Sequence, residues 1–264
     1  MASVLTDYKN SSVYKNIKDV IEITEPLKKI GITRFYYVEL IDSEYISGLV
    51  NDDPMVTMFI KNKGLQKEIA LSPHKIIKPG FYPVSSTIKS KTIKNYYDKN
   101  FTLSGTSDEI IFIADDNTTR KIYIFGLVDS SYVNRDCLEM FILYFNDTAH
   151  HLINKSDRIK IPKELVDYYP PSKPYPKNLI SQQVEQEFLD NINAKYYKIK
   201  RLQKQFSLSD RESQCLELIL QNKIDKEIAY SLDLKTGTIN DYMSNLRKKL
   251  GCRTKNELVL KIFL

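Results

Sequence analysis

The chain has 264 residues, of which 42% are hydrophobic and 27% charged, and its formal net charge is +6. This composition is typical of a soluble globular protein with one or two domains, and apolar runs such as "EIIFIA" are far too short to cross a bilayer. The N-terminus lacks the apolar core of a signal peptide, and three scattered cysteines show no metal-type spacing. We therefore expect a cytoplasmic protein with no membrane contact, metal site or cofactor.

The first 155 residues or so contain the strand-like and most of the aromatic segments. Val13, Ile17, Val20 and Ile21 recur at helical spacing, and "TEPLKKIG" predicts a short helix that ends at Gly31. The aromatic and β-branched runs "RFYYVEL" and "SEYISGL" follow closely enough to form a hairpin.

A second strand pair and a helix complete this part of the chain. The segments "DEIIFIA" and "RKIYIFGLVD" flank "DDNTT", which predicts a turn between two strands. One apolar stripe runs through "DCLEMFILYFNDTAHHLI", so we expect a helix that lies on the sheet. The order of elements predicts an α/β sandwich with an antiparallel sheet that resembles PAS and GAF domains.

The segment between residues 158 and 206 separates two domains. Five of the ten prolines fall in residues 160–177 and prevent a regular helix there. A narrow apolar stripe in residues 179–205 predicts a connecting helix, which could pack on the sensor domain or pair with its copy in a dimer. The predicted organisation is a sensor domain at 1–157, this linker with its connecting helix at 158–206, and a helical domain at 207–264.

The last domain shows the start and stop signals of four short helices. Ser209 with Glu212, and Thr254 with Glu257, have capping-box spacing at the starts of the first and fourth helices. Asp225 is placed to cap the second helix. The third helix is predicted to run from about Thr236 to Gly251, where glycine suits a left-handed cap.

The second and third helices together predict a helix-turn-helix whose third helix is free to enter a major groove. Its apolar residues lie on one face, and the other face is polar or basic, as contacts to phosphates and bases require. A four-helix interaction module with a solvated basic face is the alternative for the same pattern.

The elements "LSDRE", "KEIAYSL", "TIND", "NLRKKLG" and "TKNEL" resemble the DNA-binding domain of LuxR-type (LuxR/FixJ/GerE) transcription regulators, in order and at the family's spacing over about 55 residues. The resemblance implies phosphate contacts and base readout by residues of the second and third helices. Asn240 could read adenine, and Asp241 could accept from a cytosine amino group. The implied DNA-binding residues are Lys226, Lys235, Thr236, Thr238, Asn240, Asp241, Ser244, Arg247 and Lys248.

The N-terminal domain resembles, more loosely, the autoinducer-binding domains of the same family. The resemblance rests on "LKKIGITRFYYVEL", "GFYPVSS" and "IFIADDNTTRKIYIFGLVDSS". The chain has no tryptophan, whereas acyl-homoserine lactone receptors carry tryptophans in the pocket, so a lactone ligand is not implied. A pocket for an unknown small molecule is expected between the sheet and the helical middle, lined by some of Tyr37, Phe59, Phe81, Tyr82, Tyr96, Tyr97 and Phe101.

These observations predict an α+β, two-domain, homodimeric transcription regulator that binds double-stranded DNA and senses a small molecule or partner. They indicate no catalytic residues, so we expect no enzymatic activity. Two alternatives stay open at this point. The N-terminal domain could serve only for dimerisation, without any ligand, or the chain could be an interaction adaptor that has kept a regulator-like tail.

Overall fold

The computed structural model describes residues 2–42, 45–61, 78–87, 91–116, 119–129, 133–154, 159–160, 182–255 and 257–259. The chain forms two compact units, residues 1–188 and 189–264. The proline-rich segment lies almost entirely outside the described residues, and the predicted domain boundaries stay predictions. No helix in the described part of the chain is both long enough and apolar enough to span a bilayer.

The first unit opens with helices that precede the sheet: α1 (Ala2–Asn10), α2 (Ser12–Lys15), α3 (Ile17–Thr24) and a 3-10 helix (Glu25–Ile30). Gly31 closes them with a φ of 76°, a left-handed conformation that glycine adopts without strain. The helix predicted to end at this glycine is therefore confirmed as a 3-10 helix, whereas α1 was not predicted.

Six antiparallel strands form one sheet in the order β3-β4-β5-β1-β2-β6. The strands are β1 (Ile32–Ile41), β2 (Tyr45–Val50), β3 (Gly80–Pro83), β4 (Asp108–Asp116), β5 (Thr119–Leu127) and β6 (Ile159–Lys160). The remaining helices of this unit are α4 (Asp53–Lys61), α5 (Val84–Thr87), α6 (Lys91–Ser104), α7 (Arg135–Ala149) and a 3-10 helix (His150–Leu152). The predicted β1–β2 and β4–β5 hairpins are both confirmed.

The two faces of the sheet carry different aromatic and aliphatic side chains because strand residues alternate between faces. On one face the ring of Phe35 lies 4.7 Å from that of Phe145 on α7 and 5.3 Å from that of Phe141, as centroid distances. This contact confirms that α7 lies on the sheet. The opposite face presents isoleucines such as Ile122 to α6, whose Tyr97 belongs to the same apolar cluster.

The second unit is helical, and α8 lies across the boundary between the units. Its helices are α8 (Gln182–Asn191), α9 (Ala194–Phe206), α10 (Asp210–Leu220), α11 (Asp225–Leu232) and α12 (Thr236–Leu250), and residues 257–259 begin a further helix. A single connecting helix was expected at 179–205. That expectation is wrong, because Asn193 adopts a left-handed φ of 50° between α8 and α9 and interrupts the helical hydrogen bonding.

One apolar core holds this unit together, with buried residues from α9, α10, α11, α12 and the last helix. Ile199 and Leu202 place α9 in that core, so α9 is part of the helical unit. The predicted α+β fold class, with an antiparallel sheet followed by a helical domain, is confirmed.

Of the three predicted N-terminal helix caps, the capping box at Ser209 forms in full, and the one at Thr254 forms in one direction, because Glu257 accepts from the Arg253 N–H instead of the Thr254 N–H. The Ser209 hydroxyl accepts from the Glu212 N–H at 3.2 Å, and Glu212 accepts from the Ser209 N–H at 2.7 Å. Thr254 accepts from the Glu257 N–H at 3.1 Å. The cap assigned to Asp225 is wrong, because Ile224 occupies the cap position and its N–H donates to Glu227 instead.

Candidate DNA-binding helix and ligand cavity

The turn between α11 and α12 brings the two helices close together. Asp233 takes a left-handed φ of 54°, and the Leu234 N–H donates to the Ala229 carbonyl at 2.9 Å, which closes the end of α11. Ala229 is only 4% exposed, and its small side chain permits a close helix crossing. This is the helix-turn-helix arrangement that the sequence predicted.

The apolar side of α12 anchors the helix in the core of the unit. Ile239, Met243, Leu246 and Leu250 are all buried in the cluster shared with α10 and α11. Because these four residues occupy one face, the residues between them are left on the outer side of the unit.

The outer side of α12 carries most of the predicted DNA-binding residues. Thr236, Asn240, Asp241 and Lys248 are exposed, while Thr238, Ser244 and Arg247 are half-buried. Lys235 is the exposed N-cap residue of α12, and Lys226 is exposed in the first turn of α11. The structure therefore places eight of the nine residues along one helix and its cap, with Lys226 on the preceding helix. Their contacts to DNA stay a prediction.

Lys249, at the end of α12, is held by contacts within the unit. Its Nζ donates to the Ser207 carbonyl at 2.9 Å and to Glu212 Oε2 at 2.7 Å. Burial by itself would raise the pKa of Glu212, but hydrogen bonds from Lys249 and Ser209 hold that pKa below its ordinary value. The ion pair thus ties the end of α12 to the start of α10.

A second lysine connects the last helix to α11. Lys255 Nζ donates to Asp225 Oδ1 at 2.9 Å and to the Lys223 carbonyl at 3.0 Å. Asp225 therefore joins two helices, a role that the sequence pattern of its own helix did not reveal. One lysine thus ties α12 to α10, and the other ties the last helix to α11.

The first unit contains a cavity of about 120 Å³ between the sheet and helices α1, α4 and α6. Its walls are mostly apolar, with strand residues such as Val38, Ile46 and Ile122 facing helix residues such as Val56 and Phe59. A mostly apolar, concave space with a few polar groups is the usual form of a small-molecule site.

Asp53 connects two of the helices that border the cavity. Asp53 on α4 accepts from Lys9 Nζ at 2.7 Å, from Thr57 Oγ1 at 3.0 Å and from Tyr8 Oη at 3.1 Å. Burial opposes ionisation of Asp53, but these donors lower its pKa below the ordinary value. The carboxylate therefore holds α1 against α4 beside the cavity.

The seven aromatic residues proposed for the pocket lie in different places. Phe59, Tyr97 and Tyr37 border the cavity, but the Tyr37 ring packs against Phe145 on the opposite face of the sheet, 5.6 Å between centroids. Tyr37 thus contributes no ring to the pocket, because its neighbours Tyr36 and Val38 take the cavity face.

The other four aromatic residues lie outside the lining of this cavity. Phe81 stacks on Phe112 with centroids 4.3 Å apart, and Tyr82 Oη donates to the Lys78 carbonyl at 2.9 Å. The rings of Tyr96 and Phe101 both contact the Tyr97 ring, at centroid distances of 5.6 and 5.8 Å. Ligand contact by any of the seven stays a prediction.

Sequence reasoning missed the polar residues of the cavity. Arg34 on β1 and Glu109 on β4 form a buried ion pair, with Arg34 Nη2 and Glu109 Oε1 2.8 Å apart, and Asn100 of α6 lies on the same lining. These residues are far apart in sequence, so the only available signal was a charged residue within each strand. Among the described residues, His, Cys, Asp and Glu form no group that could hold a metal ion.

Comparison with known proteins agrees with the geometry of the second unit. Residues 206–262 match the family model of bacterial regulatory proteins, luxR family. A 54-residue segment is 39% identical to the transcriptional regulatory protein DesR of Bacillus subtilis (strain 168), and it covers 20% of this chain and 27% of DesR. A 65-residue segment is 34% identical to the spore germination protein GerE of the same organism, and it covers 25% of this chain and 88% of GerE. The chain thus spans about a quarter of the length of DesR and most of GerE.

One solved structure aligns with both units of the chain, at low sequence identity and a low TM-score. The crystal structure of Escherichia coli SdiA aligns with 98% of this chain and 94% of its own, at 11% identity and a TM-score of 0.36. A likeness this weak does not establish a shared fold.

Proposed function

The chain belongs to the luxR family of bacterial regulatory proteins, and from that premise we propose that it is a transcription regulator. In this proposal α12 enters the major groove of duplex DNA, and the cavity of the first unit binds a small molecule that controls DNA binding. The protein acts in the cytoplasm, where its DNA is, and performs no catalysis of its own.

The observation that carries the proposal is the division of α12 into two sides. Its apolar side is buried in the core, while Asn240, Asp241 and Lys248 remain exposed on the other. A helix held this way after a short turn presents polar side chains to a groove without any rearrangement of its own core. The match of residues 206–262 to a family of regulatory proteins supports the same role.

We propose that two copies bind together. A symmetric dimer places two recognition helices about 34 Å apart, one turn of duplex, on a pseudo-palindromic site. Sedimentation of the full chain with and without DNA measures the stoichiometry directly. A single chain bound per complete two-half-site duplex at every concentration would contradict this part of the proposal.

Charge reversal at the end of α12 tests DNA binding. Because Arg247 and Lys248 would contact phosphates, Arg247→Glu combined with Lys248→Glu should lower DNA affinity at least about a hundredfold and flatten its salt dependence. The matched control reverses two exposed lysines of α6, Lys94→Glu with Lys99→Glu, and should bind normally. The measurement is fluorescence anisotropy with labelled duplexes over a range of salt concentrations. Equal loss in both variants, or none in either, would refute a role for α12.

Sensing by the first unit rests on the cavity. A ligand that fills it adds contacts in the folded state only, so it should raise the thermal midpoint of the first unit in proportion to the logarithm of its concentration. A protein that neither carries nor responds to any small molecule, yet binds DNA as a dimer, would instead be a ligand-independent regulator.

A further inference from the structure

The helix α9 is strongly basic. Its 13 residues, Ala194–Phe206, include four lysines and one arginine and no acidic residue. The helix ends where the residues that match the luxR family model, 206–262, begin. The charge of α9 therefore lies outside the helices to which the family resemblance assigns DNA contacts.

α9 is built into the same core as α12. Its residues Ile199 and Leu202 are buried in the apolar cluster that also contains Met243 and Leu246 of α12. A helix that buries one side in this way holds its remaining side chains in fixed directions. The charge of α9 is thus held in a fixed position relative to α12.

The outward side of α9 presents two lysines one helical turn apart. Lys200 and Lys204 are both exposed, and their spacing of four residues puts them on one face of the helix. One turn earlier on this face, the half-buried Tyr196 places its ring centroid 4.5 Å from Lys200 Nζ. Such a cation–π contact orients the ammonium group and leaves its charge in place. Lys200 and Lys204 therefore form a positively charged face.

The C-terminal ends of α9 and α12 adjoin each other. Lys249 Nζ donates to the carbonyl of Ser207, the residue that follows α9, at 2.9 Å. Lys204 lies in the last turn of α9, and the exposed Lys248 lies in the last turn of α12. The basic ends of the two helices therefore meet at one junction.

The acidic residues beside this junction are engaged within the unit. Asp210 accepts from Gln203 Nε2 at 2.8 Å, and Glu212 is paired with Lys249 at 2.7 Å. The four basic residues in the last turns of α9 and α12 outnumber these two carboxylates. The junction is therefore positively charged.

We infer that the Lys200–Lys204 face of α9 is a second DNA-binding surface, which contacts backbone phosphates beyond the base pairs that α12 reads. The N-terminal residues of a recognition helix contact bases, so the C-terminal end of α12, where α9 joins it, lies towards the backbone. α9 extends about 20 Å from that junction, and duplex DNA offers one negative charge per about 1.7 Å of its axis. Phosphate contacts add affinity and carry no sequence information. The inference rests on the proposed DNA-binding function and adds a surface to it.

Duplexes with flanks of two lengths test the inference on the full chain. A site is selected from random duplexes with the unaltered chain and is rebuilt with flanks of about 2 or about 10 base pairs, the longer being close to one helical turn. Fluorescence anisotropy over a range of salt concentrations measures the affinity for each duplex. The unaltered chain should bind the long-flanked duplex about tenfold more tightly and with a steeper salt dependence.

Removal of the two charges assigns this gain to α9. Lys200→Gln with Lys204→Gln should lower affinity for the long-flanked duplex about tenfold and reduce its salt slope by about 2, with less than about a twofold change on the short-flanked duplex. The control, Lys94→Gln with Lys99→Gln, removes two exposed lysines of α6 and should bind both duplexes normally. Circular dichroism checks that both variants keep their helices.

Hydroxyl-radical footprinting of the unaltered chain does not depend on any variant. Protection of the long-flanked duplex should extend from the selected site into the flanks. Protection that stops at the site, or an equal loss on both duplexes in the folded α9 variant, would overturn the flanking contact. Unchanged affinity of that variant for both duplexes would remove α9 from DNA binding and leave α12 in its proposed role. Retention of no duplex by the unaltered chain at low salt would refute the proposed function together with this inference.

Discussion

The two units use buried space and polar groups in different ways. In the helical unit, residues such as Leu246 are buried in an apolar core. The charged residues Glu212 and Lys249 of this unit form an ion pair at helix ends. In the sheet unit the core contains a cavity, and arginines are buried within the sheet, with Arg34 paired to Glu109 and Arg120 to Asp115. The difference supports the proposal that the helical unit acts through its outer surface and the sheet unit through its interior.

Truncation of a core side chain should give the largest difference in stability loss between the two units. Leu246→Ala leaves a void in a filled core and should cost about 2–5 kcal/mol of local stability, because its neighbours cannot collapse fully. Val38→Ala enlarges a cavity that already exists and should cost less, about 1 kcal/mol. Hydrogen exchange of amides in each unit measures the free energy of local unfolding. Equal losses at the two positions would mean that the sheet unit is packed as tightly as the helical one.

Enlarging a side chain should also destabilise the helical unit more than the sheet unit. Ala229→Leu forces extra volume into the α11–α12 crossing and should cost about 1–3 kcal/mol. Val56→Leu extends into the cavity and should change stability by no more than about 0.5 kcal/mol, while reducing the affinity for toluene. The same exchange measurement and the toluene titration check both variants. A large destabilisation by Val56→Leu would show that the cavity closes in solution.

The pH dependence of the helical unit should show the role of Glu212. Its pKa lies below the ordinary value of 4.5, so ionised Glu212 stabilises the folded unit above that pH. This contribution, about 1 kcal/mol for a cap of this kind, should disappear as the pH falls below about 4.5 through the folded pKa. Glu212→Gln should lower stability at neutral pH and flatten the acid side of the profile.

The control for that profile is Glu227, which makes the equivalent main-chain bond at the exposed start of α11. Glu227→Gln should cost less at neutral pH, because the group it replaces is exposed to solvent. Urea unfolding at a series of pH values measures both variants. An acid profile of Glu212→Gln that matches the unaltered chain would contradict the lysine-supported cap.

The helical unit could be predicted from sequence because its signals are local. The pair Ser209 and Glu212, three residues apart, forms the expected capping box, and Gly251 ends α12 with a φ of 66°. Each signal lies within one helical turn, so no knowledge of the tertiary structure was needed. The prediction at Asp225 failed because a local pattern does not show tertiary contacts: Ile224 occupies the cap position, and the Asp225 carboxylate accepts from Lys255 of the last helix.

The cavity could not be predicted in the same way because it depends on strand register. Arg34 and Glu109 are 75 residues apart and meet only because β1, β5 and β4 are neighbours with Gly126 between them. The aromatic residues were predicted to line the pocket without regard to the face of the sheet on which each one lies. Tyr37 was therefore included, although its ring packs on the opposite face. The sequence predicted an aromatic sensor domain, whereas the polar residues of its cavity could be found only once the pairing of the strands was known.

The smallest effects on stability are expected at the exposed residues of α12. These residues also give the sharpest test of base readout by the helical unit. Asn240→Ala and Asp241→Ala should each change stability by no more than about 0.5 kcal/mol, because both side chains are exposed. The sequence selected from random duplexes should nevertheless change, since an amide can pair with adenine and a carboxylate can accept from cytosine, at about 1–3 kcal/mol per base. Asp241→Ala should also raise affinity for unrelated duplexes by removing a charge that phosphates repel. Recovery of the same consensus before and after both substitutions would show that these two residues do not read bases, and readout would then have to come from Thr236, Ser244 or the shape of the duplex.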